Sequence, residues 1–250
     1  MRLFSEDECR KAVGLPFEIQ QQLRSGDFAF ITEMGRQLQI DEQVLCTANY
    51  MVNLFFTRRS YLNYDRFILS TSALMLSCKI HNFRRQNKRI NPNTFASTYH
   101  SVYHRRLHST TDRQPPIFED SLKSEYLAKI FKAEFKLLKT IEFEVEIDLP
   151  LNYLNLVIEK IYGENSDNGV FVTMCKVMAN ESMRSIAPLC VKTLAISMAC
   201  VVLAAVVCGL PRPQEVTGSE NWWLVVSNEV SIGEITQGIR LIMEAITLKN

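Results

Sequence analysis

Glycine and proline are scarce, nine and eight in 250 residues, and they stand at joints between apolar-periodic runs. The interiors of those runs are therefore unbroken and read as helix nearly throughout. No two cysteines are spaced CxxC. The seven that are present (Cys9, Cys46, Cys78, Cys175, Cys190, Cys200 and Cys208) lie mostly in apolar runs. An odd count without metal-ligand spacing is the usage of reduced intracellular thiols. The opening MRLFSEDECRK is charged where a secretory segment is apolar, so an intracellular protein is expected. Net charge is nearly absent, +1, which removes any global pull toward nucleic acid. There is no Gly-rich phosphate loop, no GxSxG and no HExxH, and thiols in apolar helices are poor nucleophiles because burial disfavours the thiolate. Neither an active site nor a cofactor is expected.

What remains is an ordinary globular composition, 47% hydrophobic and 22% charged, enough for a sizeable core. Ser5 and Glu8 have capping-box spacing and open a short helix expected to stop at Gly14. Pro16 suits the first turn of a second helix, expected to end near Gly26, after which Asp27 caps Phe28–Leu38. Asp41 caps a helix over Glu42–Arg58, an apolar run follows from Asp65 to Ile80, and Asn91-Pro92 opens a helix to Leu107. Ser109–Pro116 reads as a loop, and Asp120 starts a long helix. Ile141–Leu149, IEFEVEIDL, alternates with period two and reads as extended, closed by Pro150. Thr193–Leu210 carries no charge for 18 residues, bordering on membrane-spanning length. It is rich in Ala, Ser and Cys between amphipathic neighbours, so a buried core helix is expected and no membrane span.

The second half echoes the first. A shift of about 127 residues lays Val44–Lys79 on Phe171–Val206 without a gap, in the same order of amphipathic helix, short joint and apolar helix. Three segments follow: 1–24, 25–149 and 150–250. Two charges stand out against this pattern. Along Leu127–Ile141, Leu127, Ile130, Leu138 and Ile141 form one apolar stripe, with Glu134 at its centre. A carboxylate there needs a cationic or hydrogen-bonding partner. Lys79 closes the apolar run Phe67–Cys78, and in the repeat it falls on Val206, so a function that uses this lysine belongs to the first half alone.

The order of these stretches resembles the cyclins over about residues 25–248: FITEMGRQLQI, YLNYDRFILSTSALMLSCKI and AEFKLLKTIEFEVEIDLP, then MANESMRSI, SMACVVLAAVVCGLP and WWLVVSNEVSIGEITQGIRLIMEAI. The likeness is to the transcription-type members grouped as K, L and T. It implies an all-α fold of two tandem five-helix cyclin boxes with short N-terminal helices. It also implies a non-catalytic subunit that binds and activates a cyclin-dependent protein kinase, and a nuclear location. In cyclins, a lysine ending the third helix and a glutamate on the fifth hold the backbone of the kinase around its αC helix, and Lys79 and Glu134 fall on those positions. Leu76, Ile80, Leu138, Phe143 and Val145 would supply the apolar part of the contact. The chain departs from the family in having His81 and Asn82 where an acidic pair usually follows the lysine. DFAFITEMG also replaces the docking patch of cell-cycle members.

Between His81 and Arg113, seven cations (Arg84, Arg85, Lys88, Arg89, Arg105, Arg106 and Arg113) face one acid, Asp112. The functional reading is an anionic partner, such as RNA, an acidic tail or phosphorylated polymerase. The structural reading is a solvated basic face. His100, His104 and His108 recur every four residues and read as a surface stripe, not a metal site, because arginines adjoin them. The rival function is a two-box DNA-binding factor of the general transcription factor IIB type, which predicts a basic second half and a zinc ribbon. The second half has few cations (Lys160, Lys176, Arg184, Lys192, Arg212, Arg240 and Lys249), and no cysteine ribbon is present.

Overall fold

The computed structural model describes residues 3–11, 14–107, 118–163 and 169–247, and among these twelve α-helices and no strand form. The chain divides into two units, one of Lys11–Ile147 and one joining Met1–Arg10 to Asp148–Asn250. The first helix, α1 (Glu6–Arg10), belongs to the second of these units. Its capping box forms as the spacing predicts: Glu8 N–H donates to Ser5 Oγ and Ser5 N–H to Glu8 Oε2. The helix ends at Arg10, short of the expected Gly14.

The unit Lys11–Ile147 holds α2 (Phe17–Leu38), α3 (Glu42–Arg58), α4 (Arg66–Ile80), α5 (Pro92–Leu107) and α6 (Asp120–Thr140). Helix α4 is the hub, buried from Ile68 to Cys78 and packed on the other four. Small hydroxyl residues make this possible. Thr71, Ser72 and Ser77 each return their hydroxyl to the carbonyl four residues back, and Ser72 Oγ also donates to Ile130 O on α6 at 2.7 Å. Their polar atoms are thus satisfied while neighbouring helices approach closely. Each fully buried Leu, Ile or Met around them contributes about 1.5–3 kcal/mol.

Helix α2 corrects the sequence reading, because it runs unbroken through Gly26 and Asp27. Gly26 is there for space. A Cβ at that position would stand 2.7 Å from Arg66 Nη1, and Arg66 reaches in to donate to Asp27 Oδ1 at 2.9 Å and to Leu23 O at 3.1 Å. Asp27 is therefore a buried partner on the helix interior and not a cap. Burial, only partly offset by Arg66, pushes its carboxyl up to about 7.

The second unit contains α7 (Leu154–Tyr162), α8 (Gly169–Ser182), α9 (Ala187–Cys190), α10 (Thr193–Val207), α11 (Pro213–Thr217) and α12 (Ile232–Thr247). Helix α10 is its hub, against α7, α8 and α12. It takes the place expected for a core helix, and no described helix is long and apolar enough to cross a membrane. Gly238 of α12 crosses α10 so closely that an added Cβ would lie 3.3 Å from Ala199 Cβ. Helix α1 lies along α9 and α12: Glu6 accepts from Arg240 at 2.5 Å, Arg10 donates to Glu244 at 2.8 Å, and Cys9 Sγ is 3.3 Å from Cys190 Sγ. The two boxes repeat at the expected register, since α4 and α10 are both 15 residues long and start at Arg66 and Thr193.

Candidate functional site

Helix α4 is fixed at its start by Asp65, whose Oδ1 accepts from Phe67 N–H at 3.0 Å and Ile68 N–H at 3.1 Å. At its end, Asn82 N–H donates to Lys79 O and Phe83 N–H to Cys78 O, a Schellman closure with Asn82 at φ 47°. Helix α6 closes in the same way. Glu142 N–H donates to Lys139 O and Phe143 N–H to Leu138 O, with φ 58° and 60° at Glu142 and Phe143. This corrects the start of the expected extended run. Residues 141–143 complete the helix end as a turn, and 144–149 pair with no strand. Arg58 of α3 holds the closure by donating to Thr140 O at 2.5 Å and Glu142 Oε1 at 3.0 Å. Left-handed backbone at a phenylalanine is costly, and here it leaves Phe143 59% exposed.

The packing of α4 on α6 brings Lys79 and Glu134 together: Nζ donates to Oε1 at 2.5 Å. The Glu134 side chain is 10% exposed and that of Lys79 50%. Glu134 thus sits at the edge of the core and holds the ammonium at the surface, where two of its three donors are left for other acceptors. The buried line on α6 is Ile130, Glu134, Leu137 and Thr140, rotated slightly from the expected stripe, so Leu138 is half-buried. Ile80 and Val145 are also half-buried. Leu76 is a core residue, and it supports the face from beneath.

Two residues escaped the sequence reading. Phe131 and Phe135 are 45% and 55% exposed on α6, and Lys79 Nζ lies 5.8 Å above the Phe131 ring. With Leu138 they make a second apolar line at i, i+4 and i+7, beside the buried one. The signal was in the letters, but periodicity does not separate two adjacent apolar lines on one helix. Phe131, Phe135 and Phe143 are thus exposed on and just after α6, and Phe131 borders the ion pair.

The departures at His81 and Asn82 have local causes. His81 Nε2 pairs with Thr47 Oγ1 at 2.8 Å, and Asn82 supplies the left-handed cap and accepts from Arg89. The histidine row is not a surface stripe. His100 is 5% exposed and packs against His104 and Phe118, with ring centroids at 4.4 and 4.7 Å. His108 and Arg113 lie outside the described residues, as does the loop 109–116. No group of described residues is arranged to hold a metal. Burial raises the Cys78 and Cys175 thiols to about 12.

Residues 8–146 match the model of the cyclin N-terminal domain. The chain belongs to the cyclin family. It is similar to Cyclin pch1 of Schizosaccharomyces pombe, 21% identical over 92% of this chain and 58% of that protein. It is also similar to Cyclin-L1 of Gallus gallus, 24% identical over 89% of this chain and 39% of the relative. This cyclin therefore spans about 40–60% of the length of those curated relatives. Among solved structures, a chain of the yeast RNA polymerase II CTD kinase CTDK-1 complex aligns over 98% of this chain and 72% of its own, with TM-score 0.71 and 15% identity. A chain of the Chaetomium thermophilum CAK complex bound to ATP-gamma-S aligns over 96% and 69%, with TM-score 0.61 and 16% identity. At those identities the fold is what is shared.

Proposed function

We propose that this cyclin is the regulatory subunit of a cyclin-dependent protein kinase of the transcription-related kind, that it acts in the nucleus, and that catalysis belongs to the kinase. The observation that carries this reading is the Lys79–Glu134 pair where the end of α4 meets α6, beside exposed Phe131 and on the helix that also exposes Phe135. The cyclin-subunit relatives and the kinase-complex structures support it.

The chemistry follows from what a protein kinase lacks when alone. Its αC glutamate must pair with a strand lysine before the ATP phosphates are positioned. A partner that binds only the inward arrangement shifts that equilibrium by its differential affinity, and a few kcal/mol suffice. In the proposed complex the Lys79 ammonium and the Glu134 carboxylate donate to and accept from αC backbone and fix its register. Phe131, Phe135, Leu138, Phe143, Ile80 and Val145 supply apolar contact, with Leu76 beneath them. The test is reconstitution: the purified chain is mixed with purified cyclin-dependent catalytic subunits, and phosphorylation of a generic peptide is measured. Activation of a transcription-related member is the expected result. If the chain activates none and binds none, the reading fails.

A further inference from the structure

From Arg66 to Thr111 the sequence holds no aspartate or glutamate, and the fold pairs half of the cations of that stretch with carboxylates from elsewhere. Arg66 pairs with Asp27, Lys79 with Glu134, and Arg105 and Arg106 both with Glu33. The basic segment read from the sequence therefore splits. Its helical part is structural, whereas Arg84, Arg85, Lys88 and Arg89 are all exposed, and no described carboxylate lies within ion-pair distance of them.

These four residues stand on a built turn. Arg85 and Lys88 exchange both backbone hydrogen bonds at 2.9 Å, around Gln86 and Asn87 at φ 50° and 62°, the signs of a two-residue hairpin turn with both central residues left-handed. Arg89 Nη2 donates to Asn82 Oδ1 at 3.3 Å and ties the base of the turn to the end of α4. Directly opposed residues have Cβ atoms about 5 Å apart, and like charges so placed repel. No described carboxylate offsets that repulsion, whereas a dianion between the two side chains would.

We propose that this turn is a docking finger for a phosphorylated polypeptide segment, with Arg85 and Lys88 flanking one phosphoryl group and Arg84 and Arg89 adding field around it. A phosphoryl group brings up to two charges and three acceptor oxygens, matched to an arginine fork beside a lysine. The preformed turn lowers the ordering cost of binding. RNA is the less suited anion, because recognition of single strands relies on aromatic stacking platforms. The one aromatic residue here, Phe83, is half-buried, and its N–H is committed to Cys78 O. The proposal stands apart from the kinase reading and needs no kinase to be tested.

The experiment is a fluorescence-anisotropy titration of the purified chain with a short peptide bearing phosphoserine in an otherwise uncharged sequence. The same peptide without phosphate and a single-stranded RNA serve as alternatives, at low and physiological salt. Binding that requires the phosphate and falls with salt is expected. Arg85→Ala with Lys88→Ala should weaken it roughly tenfold or more, while Lys160→Ala with Lys176→Ala, which removes the same charge from exposed sites in the second box, should leave it unchanged. Arg85→Lys, which keeps charge but loses the fork, should fall between them. Equal binding of the unphosphorylated peptide, equal loss in the two double variants, or tighter binding of RNA at matched salt would overturn the proposal.

Discussion

Helices α4 and α10 are the same device with different ends. Both are 15-residue hubs, and both close with a left-handed residue under a Schellman pair, Asn82 with Phe83 in one and Gly209 with Leu210 in the other. Yet the first ends in Lys79, paired with Glu134, and the second in Val206 and Val207, 60% and 58% exposed. A helical box around such a hub is thus built twice, once with the ion pair and once without it. Folding the box requires the apolar hub, the small crossing residues and the cap, and it does not require the charges. The second box folds around its hub without such a pair, and that contrast supports the proposal that Lys79 and Glu134 contact a partner.

Making the first box like the second is the most severe test. Lys79→Val with Glu134→Leu should cut kinase affinity by about a hundredfold or more, measured by calorimetry. It should shift the melting temperature by no more than about 4 °C, since exchanging an ion pair for apolar side chains is close to neutral. Lys79→Val alone should be the less stable protein, because Glu134 then lacks its cation. The difference should be about 1–2 kcal/mol, discounted for the half-exposed lysine.

The exposed apolar residues provide the next contrast. Phe131→Ala with Phe135→Ala should weaken kinase binding about tenfold with little loss of stability, because both residues are about half exposed. Val206→Ala with Val207→Ala should leave binding to the first box unaltered. If the valine pair has the larger effect, the docking face has been placed on the wrong box.

Caps sharpen the comparison further. Gly209 sits at φ +66° with nothing within 4 Å of where a Cβ would go. Gly209→Ala should therefore cost about 1 kcal/mol in denaturant unfolding, from backbone conformation alone. Asn82→Gly, which copies the second box into the first, should be neutral or slightly stabilising. A destabilising Asn82→Gly would mean that its contact with Arg89 outweighs the strain.

The smallest effects are in pH dependence, where the units carry opposite signs. Asp27 in the first unit has its pKa raised from the usual carboxylate range to about 7 by burial. The folded state thus binds the extra proton, and its contribution is full at acid pH and declines as pH rises toward 7. In the second unit burial pushes Glu6 and Glu234 up. Hydrogen bonds outweigh it, from Arg240 and Arg10 to Glu6 and from Ser231 and Lys192 to Glu234, and both pKa values end below normal. Their contribution is present at neutral pH and lost as pH falls through the lowered values. Asp27→Asn should remove a decline in melting temperature between about pH 4 and 7, whereas Glu6→Gln should remove a loss on acidification. Parallel pH profiles for the two variants would contradict the assigned shifts.

Much of this was legible beforehand because it depends on local chemistry. The scarcity and placement of glycine and proline, the capping box at Ser5, and the unbroken apolar runs dictate where most helices lie, and one repeated pattern determines that two similar boxes form. A carboxylate in an apolar stripe demands a cation, so Glu134 announced that it had a partner. What only tertiary structure decided concerns groups whose role depends on a neighbour distant in sequence. Gly26 reads as a break until Arg66 is seen occupying the space beside it, and Asp27 reads as a cap until the same arginine claims it. Glu142 and Phe143 read as extended because alternation is blind to a Schellman closure held by Arg58. Seven like charges read as one basic segment, yet Glu33, far away in the chain, pairs with Arg105 and Arg106, while Arg84, Arg85, Lys88 and Arg89 stay exposed on a turn. Local propensity is written in adjacent residues, while burial and charge compensation are properties of the packed chain, and those two decided which residues face out and which remain charged there.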